Sequence, residues 1–83
     1  MDYYLFTARS ITHAQLMARE LERYGVYVKI RRAGPGMSRN GCGYTLQIAP
    51  RQYKTAVEAL SRAGRRPVKV FSVRGDEMRE VVP

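Results

Sequence analysis

The pentapeptide Leu21-Glu22-Arg23-Tyr24-Gly25 recurs as Leu60-Ser61-Arg62-Ala63-Gly64, and this shared Leu-x-Arg-x-Gly pattern divides the chain into two similar halves. In each half the pattern closes an apolar stripe of helical period and is followed by an alternating run of strand period. Glycine just past a helix supplies the left-handed residue that ends its last turn. Before the first pattern, Ala14, Met17, Ala18, Leu21 and Tyr24 recur at helical spacing, with Arg19, Glu20, Glu22 and Arg23 mostly on the other side. Before the second, Tyr53, Ala56, Val57, Leu60 and Ala63 do the same, and Pro50 suits the first turn, where its missing N–H costs nothing.

Strands fill the remaining positions. Tyr3 to Ala8 is an aromatic and aliphatic run suited to a central strand. Val26, Val28 and Ile30 alternate with Tyr27, Lys29 and Arg31; Tyr44, Leu46 and Ile48 alternate with Thr45 and Gln47; Val68, Val70 and Ser72 alternate with Lys69, Phe71 and Val73. The order β-α-β-β-α-β predicts an α+β chain with the ferredoxin-like two-layer sandwich: a four-stranded antiparallel sheet of order 4-1-3-2 with both helices on one face. Leu5 or Phe6, Leu21, Val28, Leu46, Leu60 and Val70 are its expected core. Residues 1–75 read as the single domain, and 76–83 as a polar C-terminal tail. Ser10 and Thr12 are the candidate caps of the first helix, and Thr12 to Gln15 has the spacing of a capping box.

Composition narrows the class. A single cysteine in 83 residues makes no internal disulfide, which points to a reducing, cytoplasmic home. The start has no basic segment followed by an apolar run, and no stretch has membrane-spanning length. Fifteen Lys and Arg against seven Asp and Glu give a net charge of +8, which suits an acidic protein partner or a nucleic acid. The outer sheet face, read as Tyr27, Lys29, Arg31, Thr45, Gln47, Lys69 and Phe71, is expected to be wet and basic, open to weak polyanion adsorption or to a homodimer contact. One cysteine, one histidine and no cluster of carboxylates are too few for a tetrahedral metal cage, and nothing suggests a cofactor.

The thiol stands in the stretch Ser38-Arg39-Asn40-Gly41-Cys42-Gly43-Tyr44, between two glycines that leave it uncrowded. Adjacent, antiparallel first and third strands would bring Cys42 to Thr7–Ser10, where the first helix begins. The unpaired N–H groups of that helix end, with Ser10, Thr12 and His13, and the flanking Arg9 and Arg39, favour a thiolate and a thiol pKa below the free value of about 8.5. His13 is either a partner of the thiol or a surface residue of the first turn. Arg9, Arg39, Lys29 and Arg31 are the candidate partner-binding cations. A Cys-His hydrolase would need an orienting residue, an oxyanion hole and a cleft, for which so small a sandwich has little room.

Tyr4-Leu5-Phe6-Thr7, Ser10-Ile11-Thr12-His13-Ala14, Ser38 and Cys42-Gly43 before a short strand, with a second helix ending in glycine, together resemble the selenium/sulfur carrier-like proteins, a small family catalogued as a domain of unknown function. The resemblance covers nearly the whole chain. It implies a thiol carrier in which Cys42 holds sulfur or selenium as a persulfide-type adduct between donor and acceptor proteins. The chain departs from the family's Pro-x-Pro-Arg run, having Ala33-Gly34-Pro35-Gly36 there, and its cysteine loop is slightly longer. The alternative is a basic binding module for nucleic acid or an acidic protein. Gly41-Cys42-Gly43-Tyr44 approaches the third-strand signature of RNA-recognition modules, but that use would turn Leu46 and Ile48 outward and bury Thr45 and Gln47, at about 1.5–3 kcal/mol for each aliphatic side chain left out of the core.

Overall fold

The computed structural model describes residues 2–34 and 43–82. Its elements are β1 (Asp2–Ala8), α1 (Ile11–Glu22), β2 (Ile30–Arg32), β3 (Tyr44–Ile48), α2 (Tyr53–Arg62), β4 (Val70–Arg74) and β5 (Glu77–Val81). A 3-10 turn, Pro50–Gln52, leads into α2. The strands form one antiparallel sheet in the order β2-β3-β1-β4-β5. The first four follow the expected order; the fifth is an addition. Residues 77–81 are therefore not a tail but an edge strand, reached through a turn at Gly75-Asp76 that closes the pair Arg74–Glu77. Gly75 has φ +56, the left-handed conformation that a two-residue hairpin turn with glycine first requires.

The repeated pentapeptide has one structural meaning in both halves. At the end of α1 the Gly25 N–H donates to the Glu22 carbonyl and the Val26 N–H to that of Leu21, each at 3.0 Å. At the end of α2 the Gly64 N–H donates to Ser61 at 3.2 Å and the Arg65 N–H to Leu60 at 2.9 Å. These paired bonds across a left-handed glycine are the Schellman arrangement, in which leucine supplies both a buried side chain and the outermost acceptor. Val26 is buried beside Leu21 in the same motif, and this use removes it from the sheet. Consequently β2 begins only at Ile30, later than the alternation from Val26 predicts.

Both helices cover the sheet face that carries Phe6, Ala8, Leu46, Ile48 and Val70. Ala14, Met17 and Leu21 from α1 and Ala56, Ala59 and Leu60 from α2 complete the core, and the small alanines let the helices approach each other and the sheet. Of the expected core, Phe6 rather than Leu5 faces the helices, Val28 is half-buried, and the other members are buried. Tyr24 is exposed, outside the apolar face assigned to it. Tyr53 stacks on Tyr4 with ring centroids 4.0 Å apart and meets the edge of Phe6 at 6.0 Å. The opposite face is drier than predicted: Phe71 is 8% exposed, and Thr7 and Thr45, which face each other across β1 and β3, are buried.

Candidate functional site at the basic end

One end of the molecule gathers the C-terminal end of β1, the start of α1, the end of α2 and the approach to β4. Ser10, in an extended conformation (φ -154, ψ 166), is the N-cap of α1, and its Oγ accepts the His13 N–H at 3.1 Å. This corrects the capping box placed on Thr12: the helix starts two residues earlier, and Thr12 is an exposed residue of its first turn. The residue three beyond the cap is thus His13 instead of Gln15. Its Nδ1 accepts the Arg9 N–H at 3.2 Å, and its Nε2 lies 3.2 Å from the Arg66 carbonyl. The accepting Nδ1 fixes the proton on Nε2, which then donates to that carbonyl. His13 accordingly ties the start of α1 to the loop after α2, and a thiol partner would have to replace one of these bonds.

A second tie lies at the β1–β4 junction. The Thr7 N–H donates to the Lys69 carbonyl and the Val68 N–H to the Thr7 carbonyl, each at 2.9 Å, so two residues of one chain segment oppose Thr7 in a β-bulge. The Lys69 N–H, displaced from the ladder, donates to Thr7 Oγ1 at 2.8 Å, and the hydroxyl donates in turn to the Lys69 carbonyl at 3.3 Å. Thr45 Oγ1 similarly donates to the Arg31 carbonyl at 3.5 Å. The two buried hydroxyls on the helix-free face are therefore satisfied by backbone.

Between α1 and the loop after α2 runs an open groove of about 530 Å³, with Leu16 half-buried in its wall and Arg9, Arg65 and Arg66 along its rim. Arg66 also donates from its guanidinium to Ser61 Oγ at 3.2 Å. Sequence reasoning identified Arg9, Ser10, Thr12 and His13 here but missed Arg65 and Arg66. The strand order held their signal: β4 lies beside β1, so the connection leading into β4 has to arrive at the end of β1. Lys29 and Arg31 stand apart, just before and within the edge strand β2.

The groove end carries Arg9, Arg32, Arg62, Arg65, Arg66 and Lys69, while Asp2, Glu20, Glu22, Asp76 and Glu77 lie towards the other end, mixed there with Arg23, Arg51, Lys54 and Arg74. Among the described residues the one ion pair is Arg23–Glu20, at 3.3 Å within α1. No carboxylate thus offsets the cations around the groove within that set.

Tyr44 pairs with Ala8, and the Gly43 carbonyl accepts the Ala33 N–H at 2.9 Å, so β3 begins at the same end of the sheet. Cys42, Arg39 and Ser38 lie outside the described residues. Among the described residues no helix is long and apolar enough to cross a membrane. The chain matches no model of a protein family, no curated protein and no solved structure.

Proposed function

We propose that this chain is a thiol carrier on a ferredoxin-like sandwich extended by one strand, with sulfur or selenium held on Cys42. The observation that carries the reading is the pairing of Tyr44 with Ala8. Residue 43, which follows Cys42 in the sequence, thereby adjoins the end of β1. The surroundings at that end suit a sulfur anion: the N-terminal end of α1 and a group of arginines that have no carboxylate partner among the described residues favour thiolate and persulfide over their protonated forms. The resemblance of the Ser10–Ala14 stretch and of Cys42-Gly43 to the selenium/sulfur carrier-like proteins supports the same role.

Loading follows thiol–disulfide exchange. The Cys42 thiolate attacks the outer sulfur of a donor protein's persulfide; a new S–S bond forms at Cys42 as the donor's S–S bond breaks, and the donor leaves as thiolate. No net oxidation occurs, and the outer sulfur keeps its proton. Delivery to an acceptor thiolate is the same step reversed.

The test has two parts. Protein isolated without reductant, or treated with a persulfide donor, is expected to show intact-mass additions of sulfur or selenium that map to Cys42 and disappear on reduction. Alkylation of Cys42 at neutral pH is expected to be several-fold faster than that of a peptide thiol and to slow in Arg9→Gln and Ser10→Ala. A thiol that reacts only after denaturation, or one that never retains the added sulfur, rejects the carrier role.

A second reading, a basic binding module, is favoured by the cations at the same end, which have no ion-pair partner among the described residues. It does not operate by base stacking on the open sheet, because Phe71 there is almost fully buried.

A further inference from the structure

We propose that the basic end is a docking surface for a protein segment in which acidic residues alternate with apolar ones. The cations supply the first half of the argument. Arg9, Arg65 and Arg66 line a single groove, and among the described residues none of them has a carboxylate within ion-pair distance. Arg66 is held in place by Ser61 before any partner arrives, which lowers the ordering cost of an arginine fork that meets a carboxylate.

Apolar surface supplies the second half and selects the kind of anion. Leu16 lies half-buried in the groove wall. Beyond Arg66 the surface continues into a hollow of about 200 Å³ formed by Val57, Ser61, Arg66 and Pro67. Ile11 and Val68, at the same end, are 41% and 52% exposed. Cations over a partly apolar floor, made of Leu16 beside Ser10, Thr12 and His13 and extended by Val57 and Pro67, match a peptide that offers carboxylates and aliphatic side chains together. A nucleic-acid backbone has no use for such a floor, and its bases would need aromatic platforms. The well-exposed aromatic residues among those described, Tyr24 and Tyr27, come after the end of α1, away from the groove. This docking does not depend on the chemistry of Cys42.

Fluorescence anisotropy with the whole chain tests the proposal. The probes are a short labelled peptide of glutamates interspersed with leucines, the same peptide with serine for leucine, and a labelled single-stranded RNA of equal charge. The leucine peptide is expected to bind at least about fivefold more tightly than either of the others at physiological salt. Arg65→Glu combined with Arg66→Glu is expected to weaken it by about tenfold or more, whereas Arg51→Glu combined with Arg74→Glu, at the far end, changes it by less than about twofold. Cys42→Ser is expected to bind as wild type does, which separates this surface from the carrier role. Equal binding of leucine and serine peptides, tighter binding of RNA, or equal losses from the two charge reversals each overturn the proposal. Circular dichroism confirms that the reversed variants fold.

Discussion

Thr7 is a small polar residue in a nearly dry position, and its hydroxyl takes the one backbone N–H that the bulge at Val68-Lys69 removes from the ladder. Thr7→Val keeps the shape but leaves the Lys69 N–H unsatisfied, so it is expected to cost about 1–3 kcal/mol in a urea titration. Thr7→Ser, which keeps the hydroxyl, is expected to recover most of that loss. Tyr53 titrates against its surroundings: burial, and then the neighbouring Tyr4, hold its phenol above the ordinary value of 10.0. Because the unfolded chain releases this proton first, the stability it supports is complete below about pH 10 and is lost as pH rises through the folded value. Melting temperatures measured from about pH 8 to about pH 11 are expected to fall, and to fall less steeply in Tyr53→Phe. His13 shows what a residue type alone leaves out. The only histidine, read as a partner of the thiol or a surface residue, has both ring nitrogens engaged by backbone groups.

Helix ends show how a short motif encodes a turn. Gly25 (φ +78) and Gly64 (φ +67) hold the left-handed conformation with open space where a Cβ would stand, so Gly64→Ala incurs backbone strain and no clash. Its expected cost is about 1–2 kcal/mol by thermal denaturation, and Gly64→Asn, which tolerates that conformation better, is expected to cost less. Both helices, the first four strands and their order were legible because each carries a clear period and the Leu-x-Arg-x-Gly pattern marks each helix end. The strand β5 was hidden by its charge: Glu77-Met78-Arg79-Glu80-Val81 reads as polar tail, since an edge strand needs little apolar surface. The overlooked cue was local. Gly75-Asp76 between Val73-Arg74 and Glu77-Met78 is a two-residue hairpin signal. Thr45 was read as wet from strand parity alone, which assigns a face but says nothing of how crowded that face is. Of the candidate site, the α1 start was legible from Ser10, whereas Arg65 and Arg66 emerge only once β4 is set beside β1.

At the scale of the whole molecule, a chain of 83 residues depends on one core, and Leu46 lies at its centre, fully buried on β3 between β1 and β2. Leu46→Ala is expected to cost about 2–5 kcal/mol, much of the stability of a domain this small. A denaturation midpoint equal to that of wild type would show that β3 presents its other face to the helices. The edges of the sheet have a further consequence. An open sheet has two unpaired borders, each able to recruit a strand from another copy and so to seed aggregation. Here β2 offers only Ile30–Arg32, ending in two arginines, and β5 sets Glu77, Arg79 and Glu80 along the other border. Like charges meet when two copies approach by their β2 borders, and a strand of three residues is a poor template. The charge that makes β5 hard to read as a strand also sets charged side chains along the border where a strand of another copy would have to pair.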